Sequence, residues 1–324
     1  MGKVEKIGIL TSGGDSPGMN AAIRAVTRSG IKNGLDIFGI MRGYEGMIDG
    51  DIRQLRSSDV SGILQKGGTI LKTARSKRFR EYEWRKQAYE NLKANGINAL
   101  VVIGGDGSFK GATEFSQEFD IPVIGLPGTI DNDMFGTHYT IGYDTCLNTV
   151  MEAVDKIRDT ASSHNRVFFV EVMGREAGFV ALHGGIACGA EAILIPEITG
   201  QLDNLMKLLA SPDRLTKSSV ILVAEGHTEG STFEIAEKVR NAFPALDVRV
   251  TILGHIQRGG SPTAYDRVSA SRLGVAAIEA LLDDQKSIMI GILNGEMVHV
   301  PLNKTVKQNR EVNQTLLEVA KKLV

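Results

Sequence analysis

NALVVIGGDGS, residues 98–108, is an aliphatic run that ends in a glycine-rich turn. The same pattern occurs five more times, in KIGILTSGG, IPVIGLPGT, RVFFVEVMGRE, SVILVAEGH and VRVTILGHIQRGG. Continuous aliphatic runs of this length are typical of strands that are buried on both faces. Segments with helical periodicity lie between them, among them NAAIRAVTRSGIKNG, WRKQAYENLKANG and NTVMEAVDKIRDTASSH. Strands that alternate with helices predict an α/β fold with a mainly parallel sheet.

One segment has a different pattern. SIMIGILNGEMVHVPL, residues 287–302, consists of two strand-like runs separated by Asn294 and Gly295. Asn-Gly between two such runs is a strong signal for a tight turn, so the segment predicts a β-hairpin.

Length and composition restrict the class of protein. A chain of 324 residues exceeds the size at which one core keeps growing, so we expect two lobes. With 42% apolar residues and 37 glycines the chain is globular and not disordered. The 37 basic and 38 acidic residues give a net charge of -1, which provides no global attraction for nucleic acid or for an anionic membrane. Any anion site must therefore be local.

Cysteine use and the N-terminus indicate a compartment. Cys146 and Cys188 have no metal-ligand spacing, which predicts two free thiols in a reducing environment. The first residues run into a strand without a cleavage-site pattern, and no apolar run approaches the roughly 20 residues that span a bilayer. We expect a cytoplasmic protein.

Three of the glycine turns have the composition of phosphate-binding loops. The first, TSGGDSPGMNAAIRAV at 11–26, passes from a strand through Gly13 and Gly14 into a helix. Glycines let a phosphate approach the backbone, and helix N-terminal amides donate to it, although a tight turn without a ligand looks the same. The second, GGDGSFKGA at 104–112, has Asp106 between two glycines. A carboxylate in a phosphate loop suggests Mg²⁺ with a polyphosphate; the alternative is that Asp106 caps a helix that starts at Ser108.

The third turn, LPGTIDNDMFG at 126–136, contains two carboxylates. If the backbone is extended here, Asp131 and Asp133 point to the same side and Asn132 points away. One acid can then accept a proton from an alcohol while the other helps to hold Mg²⁺. The alternative is an Asx turn that only shapes the loop.

Arginines near strand ends and glycine turns complete this set. They are Arg75, Arg166, Arg175, Arg249 and Arg258, with His255 beside the last. Any one of them alone is more simply explained as a surface ion pair, but guanidinium groups match phosphate oxygens well. Together with the acidic turns they favour a kinase that acts on a phosphorylated alcohol.

TSGGDSPGMNA, GGDGS, PGTIDND, MGRE and LGHIQRGGSPTAYDR together resemble the bacterial 6-phosphofructokinases, in this order and over nearly the whole chain. GGDG alone is weak, because NAD kinases and diacylglycerol kinases have a similar run, whereas PGTIDND with GHIQRGG is specific. The resemblance implies transfer of the γ-phosphoryl group of Mg-ATP to the 1-hydroxyl of fructose 6-phosphate. It also implies two Rossmann-like α/β/α lobes. We expect a nucleotide-binding lobe at 1–142 plus 257–307 and a sugar-phosphate lobe at 143–256 plus 308–324.

The resemblance also implies roles for individual positions. Asp131 is the proton acceptor, with Thr129, Arg75 and Arg175 as the other catalytic residues, and Asp106 and Asp133 hold Mg²⁺. The donor-site positions are Gly14, Tyr44, Arg75, Ser76, Arg80, Gly105, Asp106, Gly107 and Ser108, where Ser76 replaces a usual aromatic residue. The sugar-phosphate positions are Thr129, Ile130, Asp131, Arg166, Met173, Gly174, Arg175, Glu225, Arg249, His255, Ile256, Gln257 and Arg258. Arg166 and Arg249 would come from a neighbouring subunit of a homotetramer.

An effector site for ADP or phosphoenolpyruvate is also implied, at positions Arg24, Arg28, Arg158, Gly189, Glu191 and Arg214. Several of its positions depart from the family pattern: Ser57 replaces an arginine, Gly62 an acid, and Arg214 and Thr216 replace lysines. The site could therefore bind ADP or phosphoenolpyruvate weakly, bind another ligand, or bind no effector.

Two positions bear on the phosphoryl donor. Pyrophosphate-using relatives typically have aspartate in place of Gly107 and lysine in place of Gly128. Glycine at 107 leaves room for an α-phosphate, so both positions favour ATP. The alternatives are a pyrophosphate-dependent enzyme and a sugar-phosphate sensor without catalysis, which would usually have lost an acid or a phosphate-binding arginine.

Overall fold

The structure, a computed structural model, describes residues 4–164, 166–211, 217–308 and 310–323. The strands are β1 (Lys6–Ser12), β2 (Asp36–Ile40), β3 (Ile52–Leu55), β4 (Ala99–Gly104), β5 (Val123–Pro127), β6 (Arg166–Val172), β7 (Ala192–Leu194), β8 (Ser219–Ala224), β9 (Asp247–Ile252), β10 (Ile288–Leu293) and β11 (Glu296–Pro301). The helices are α1 (Met19–Lys32), α2 (Gly43–Asp49), α3 (Tyr82–Ala94), α4 (Asp106–Phe119), α5 (Tyr143–His164), α6 (Phe179–Cys188), α7 (Gln201–Leu209), α8 (Thr232–Ala242), α9 (Ala264–Leu282), α10 (Leu302–Lys307) and α11 (Gln314–Leu323). Single 3₁₀ helices lie at Arg78–Arg80 and Gly254–Arg258.

The chain divides into two compact units. The first comprises Met1–Ile130, Met134–Thr145 and Arg258–Arg310, and the second comprises Asp131–Asp133, Cys146–Gln257 and Glu311–Val324. The expected lobes end at 142, 256 and 307, whereas the segments of these units end at 145, 257 and 310. The grouping of the three residues 131–133 with the second unit was not expected. Which ligand each unit binds stays a prediction.

The described part of the first unit contains a seven-stranded sheet in the order β11-β10-β5-β4-β1-β2-β3. β2 pairs with β3 and β10 with β11 in antiparallel orientation, while the four central pairings are parallel. The predicted hairpin is confirmed, because Leu293 pairs with Glu296 and both turn residues have positive φ, 52° at Asn294 and 84° at Gly295. The short strands β2, β3 and β7 have no long aliphatic run and were not predicted.

The aliphatic strands of the first unit are buried on both faces, as predicted. In β4, Val101 and Ile103 pack into one core cluster with α1 and α9, whereas Leu100 and Val102 pack into another with α2, α3 and α4. Alternate side chains of one strand thus enter opposite cores, because successive side chains in a strand point to opposite faces. The result is a layer of helices on each side of the sheet.

Strand register aligns the three glycine turns. Ser12 of β1 is paired with Gly104 of β4, and Gly104 is paired with Pro127 of β5. The chain therefore leaves these three neighbouring parallel strands at one level, and their turns lie side by side at the carboxyl edge of the sheet. Ligands bind at this edge in open α/β sheets.

In the second unit, the described strands form a parallel sheet in the order β7-β8-β6-β9. One of its faces packs against α7 and α8 through a cluster that includes Leu205, Leu209, Ile235 and Val239. α5, α6 and α11 complete the described helices of this unit, and Gly184 of α6 packs closely against Val150 of α5. The α/β architecture predicted from the sequence is confirmed.

Candidate active site

The turn after β1 is shaped around an arginine. Gly13 has a φ of 87°, and its carbonyl accepts a hydrogen bond from Thr73 Oγ1 at 2.8 Å. The Arg258 guanidinium lies against the next glycine, and its Nη1 donates to the carbonyl of Asp15 at 3.1 Å. A Cβ on Gly14 would collide with that guanidinium. A side chain at 14 would displace the guanidinium, and Arg258, predicted as a sugar-phosphate ligand, lies at the first phosphate-type turn.

The turn after β4 leads directly into a helix. Gly105 is the N-cap of α4, no side chain caps this end, and the helix begins at Asp106. The alternative that Asp106 only caps a helix from Ser108 is therefore wrong. A Cβ on Gly107 would meet no atom within 4 Å. The first turn of α4 is thus open at Gly107 and has the exposed carboxylate of Asp106 beside it, which fits a phosphate that is accompanied by a cation.

Tyr44 is hydrogen-bonded to the first turn of α4. Its ring stacks on Phe79 with the centroids 4.0 Å apart, and its hydroxyl donates to the carbonyl of Ser108 at 2.6 Å. Burial raises the pKa of this phenol far above its usual value. Tyr44, predicted in the donor site, is thus 5% exposed and holds the start of α4 in place.

The donor-side segment 75–80 is partly ordered by its own contacts. Arg75 and Arg80 are exposed, whereas the Ser76 hydroxyl accepts a hydrogen bond from the Phe79 amide at 3.1 Å. Arg78, which was not predicted, pairs with Glu45 and, at 2.8 Å, with Asp49. The hydrogen bond from Arg78 lowers the pKa of Glu45. These pairs attach the segment to α2 and leave the two predicted arginines at the surface.

The turn after β5 is tightly packed. A Cβ on Gly128 would lie 2.9 Å from Cγ2 of Ile103 and 3.1 Å from Cε of Met19. The next two residues, Thr129 and Ile130, are buried, and the carbonyl of Thr129 accepts a hydrogen bond from Thr140 Oγ1 at 2.6 Å.

The backbone of the carboxylate segment is not extended. Asn132 has a φ of 54°, in the left-handed region, so the predicted alternation of Asp131 and Asp133 is wrong. Asparagine adopts this conformation more readily than most residues, because its short polar side chain bonds locally. Asp131 is 2% exposed and Asp133 is half-buried. The two carboxylates therefore have different environments.

Several predicted sugar-site residues lie together with Asp131 in the second unit. Nε of Arg175 lies 3.6 Å from Oδ2 of Asp131. Glu225 Oε1 accepts hydrogen bonds from the amides of Arg175, at 2.7 Å, and Gly174, at 3.4 Å. These bonds fix a turn in which both residues have positive φ, 152° at Gly174 and 54° at Arg175. A guanidinium beside a buried carboxylate compensates its charge.

Gln257 holds the same turn from another side. Its Oε1 accepts a hydrogen bond from the Met173 amide at 3.2 Å, and its Nε2 donates to the carbonyl of Gly254 at 3.0 Å. His255 and Ile256, in the same 3₁₀ helix, are exposed. Gln257 thus supports the site from a fully buried position, whereas its two neighbours face solvent.

Arg166 and Arg249, at the starts of β6 and β9, share one carboxylate. Nε of Arg166 lies 2.7 Å from Oδ2 of Asp247, and Nε of Arg249 lies 2.9 Å from its Oδ1. The hydrogen bond from Arg166, with a further one from Arg249, lowers the pKa of Asp247. The two predicted phosphate ligands are therefore neighbours. Sequence reasoning missed Asp247, which has no motif of its own.

A family model described as Phosphofructokinase matches residues 6–281. The chain belongs to the phosphofructokinase family. ATP-dependent 6-phosphofructokinase 2 of Bacteroides thetaiotaomicron is 60% identical to it over 324 residues, which are 100% of this chain and 99% of the relative.

Solved phosphofructokinases have the same fold. The crystal structure of the Pichia pastoris phosphofructokinase in the T-state matches with a TM-score of 0.89 and 41% identity. The match covers 100% of this chain, which spans only 36% of that longer one. A pyrophosphate-dependent phosphofructokinase from Marinobacter aquaeolei matches with a TM-score of 0.84 over 99% of this chain and 91% of its own. At 22% identity that likeness shows the fold alone.

The predicted effector residues of this phosphofructokinase fall into separate groups. In the second unit, Arg158 pairs with Glu191 at 3.2 Å and donates to the carbonyls of Cys188 and Gly189 at 2.9 and 2.7 Å. In the first unit, Arg28 Nη2 donates to Ser61 Oγ at 3.2 Å, and Arg24 is half-buried. Arg214 and Thr216 lie outside the described residues.

Among the described residues of this phosphofructokinase, no group of three or more His, Cys, Asp or Glu side chains is suited to hold a metal ion. Both cysteines are free thiols, as predicted, and burial raises the pKa of Cys188 to about 11. No helix in the described ranges has the length and apolar character needed to cross a membrane.

Proposed function

We propose that this phosphofructokinase transfers the γ-phosphoryl group of ATP to the 1-hydroxyl of fructose 6-phosphate, giving fructose 1,6-bisphosphate and ADP. The proposal rests most directly on the buried carboxylate of Asp131 with the Arg175 guanidinium 3.6 Å away. The Bacteroides thetaiotaomicron relative, 60% identical, is named for this ATP-dependent activity.

Asp131 accepts the proton of the 1-hydroxyl as that oxygen attacks the phosphoryl group. Arg175, in a turn fixed by Glu225, compensates the negative charge that the carboxylate brings into a buried position. Thr129 and the exposed Arg75 supply hydrogen bonds to the transferring phosphoryl group. The amides at the start of α4 bind the donor phosphates, since a helix N-terminus attracts anions.

Asp106 and Asp133 are the side chains that would hold Mg²⁺. Two carboxylates with the phosphate oxygens of the donor form the kind of ligand set that Mg²⁺ uses in kinases. The ion, when bound, neutralises charge on the donor phosphates.

The sugar 6-phosphate is bound by arginines. Arg258 lies at the first glycine turn, and Arg166 and Arg249 converge on Asp247. We infer that the last two serve the site of a neighbouring subunit in a homotetramer, with Asp247 orienting both guanidiniums. The protein is proposed to act in the cytoplasm, where ATP and sugar phosphates are available.

The test is a coupled assay with fructose 6-phosphate and either ATP or pyrophosphate. We expect turnover with ATP, and Asp131→Ser should lower kcat at least about a hundredfold with the affinity for the sugar phosphate nearly unchanged. Asp159→Ser, which removes an exposed carboxylate from α5, is the matched control and should retain wild-type kcat.

Each alternative has its own outcome in this assay. Turnover with pyrophosphate well above that with ATP would contradict the proposed donor. Sugar-phosphate binding with neither donor used would identify a sensor. Unchanged kcat in Asp131→Ser would remove the assignment of the base.

A further inference from the structure

A carboxylate with no role in the steps above is bonded to the segment beside the turn after β5, residues 127–130, which we call the catalytic turn. Asp266, near the start of α9, is 1% exposed and accepts three hydrogen bonds. Its Oδ1 accepts from the amide of Gly142 at 2.8 Å, and its Oδ2 accepts from the amide and the hydroxyl of Thr145 at 2.8 and 2.5 Å. The donors lie on the residue before α5 and on the third residue of that helix. Burying a charge this deeply is costly, so a fully bonded carboxylate here fixes its partners strongly.

The contacts around Asp266 interlock the starts of two helices. Thr263 caps α9 by accepting a hydrogen bond from the Asp266 amide at 3.2 Å, and its hydroxyl donates to Asp144 at 2.6 Å. The Thr263 amide donates in turn to Thr145 Oγ1 at 3.0 Å. The side chain of Asp266 is thereby held in one orientation by both helices.

The segment that Asp266 holds lies alongside the catalytic turn. The Ile141 amide donates to the carbonyl of Pro127 at 2.8 Å, and Ile141 forms an isolated parallel bridge with Gly128. Thr140 Oγ1 donates to the carbonyl of Thr129 at 2.6 Å. Residues 140–142 therefore run beside residues 127–129. Asp131 is the second residue after Thr129 in the chain.

The segment that Asp266 holds is also closely packed against the residues that precede α1. Gly142 has a φ of 101°, and a Cβ there would lie 3.0 Å from Cδ of Pro17. A Cβ on Gly18 would lie 2.8 Å from Cγ2 of Ile141. The segment is thus confined between the start of α1 and Asp266, and its path depends on both.

We propose that Asp266 is a positioning residue for phosphoryl transfer, which fixes residues 140–145 and through Thr140 sets the path of the catalytic turn at Thr129. This inference rests on the proposed function, because it takes Asp131 as the proton acceptor. Asp266 does not touch the reacting atoms. Its loss should therefore lower kcat and leave the KM values for both substrates nearly unchanged, since the base acts in the transition state.

Asp266→Asn is the first test. An amide keeps the shape but places an NH₂ group opposite the amide of either Gly142 or Thr145, so one hydrogen bond is replaced by two facing donors. We expect kcat to fall at least about tenfold, with both KM values within about twofold of wild type. Asp159→Asn is the control: it makes the same carboxylate-to-amide change at an exposed position of α5, outside residues 140–145, and kcat should stay within about twofold.

Thr140→Val tests the same connection without touching a charge. It removes the hydroxyl that bonds Thr129 while keeping the side-chain shape, and kcat should fall several-fold with the KM values unchanged. The double variant with Asp266→Asn should be no slower than Asp266→Asn alone, because both changes release one segment.

Circular dichroism and thermal melts establish that each variant is folded at the assay temperature. A folded Asp266→Asn with wild-type kcat would overturn the proposal. So would a Thr140→Val variant with wild-type kcat, which decides the question if Asp266→Asn does not fold. Strictly additive effects in the double variant would also overturn it. A wild-type protein without activity would instead count against the proposed function.

Discussion

At the scale of single residues, Gly107 shows a position that the fold does not need as glycine. It is the second residue of α4, its φ does not lie in the left-handed region, and an added Cβ would meet no atom within 4 Å. Glycine in a helix costs about 0.5–1 kcal/mol relative to alanine. We infer that the missing side chain leaves room for the proposed donor phosphate at the start of this helix.

Gly107→Asp should raise the KM for ATP at least about tenfold, because the carboxylate would repel the donor phosphates at short range. The KM for fructose 6-phosphate should change little. Gly107→Ala separates size from charge: it should stabilise the protein slightly in urea unfolding and raise the KM for ATP less than the aspartate does. Equal KM values for ATP in wild type and Gly107→Asp would contradict this account of the donor site.

At the scale of elements, the starts of α5 and α9 are joined through one buried acid. Burial raises the pKa of Asp266 from 3.8 to about 6, against the opposing effect of its hydrogen bonds to Thr145 and Gly142. The ionisable groups that face it are Asp144 from α5 and Tyr265 from its own helix. The stability of this junction therefore depends on pH.

The sign of this dependence follows from proton binding. Between pH 4 and 6 the folded protein holds the Asp266 proton more tightly than the unfolded chain, so the contribution of this carboxyl to the free energy of unfolding falls as pH rises and is constant above about 6. Asp266→Asn cannot titrate. Wild type should therefore exceed Asp266→Asn in unfolding free energy by about 2 kcal/mol more at pH 4.5 than at pH 7. Urea unfolding at both values measures this, and a difference that grows with pH would contradict the raised pKa.

The elements also show how far sequence reasoning reaches. The long aliphatic strands and the Asn-Gly hairpin were predictable because burial on both faces and turn geometry leave local signals. β2, β3 and β7 were not, since they are short and their pairing depends on neighbours distant in the chain. At the candidate site, sequence reasoning singled out the glycines, arginines and acids that occur in motifs, but it did not single out Asp247 or Asp266. The pattern Thr263-x-x-Asp266 is an N-terminal helix signal, but nothing local indicates that its acid also binds a second helix.

At the scale of the whole molecule, the proposed tetramer makes each site a joint product of two subunits. Arg166 and Arg249 are held together by their ion pairs with Asp247. If they serve a neighbouring subunit, a defect in Asp131 and a defect in Arg166 can be carried by different chains of one assembly.

A hybrid experiment tests this arrangement. Asp131→Ser and Arg166→Ala are each expected to be nearly inactive at low fructose 6-phosphate. When they are unfolded, mixed in equal amounts and refolded, about a quarter of the sites should combine an intact Asp131 with an intact neighbouring Arg166, and activity should return to that extent. Mixing without refolding is the control. No recovery, with tetramers verified by light scattering, would mean that each subunit supplies its own arginine.

The close packing around Gly128 bears on how a relative of this protein could change its phosphoryl donor. A lysine there is the residue associated with pyrophosphate use, yet its first side-chain carbon would press on Ile103 and Met19. Those two neighbours must shift or become smaller to accommodate the lysine. A change of donor at this position therefore depends on the packing of Ile103 and Met19 as well as on residue 128 itself.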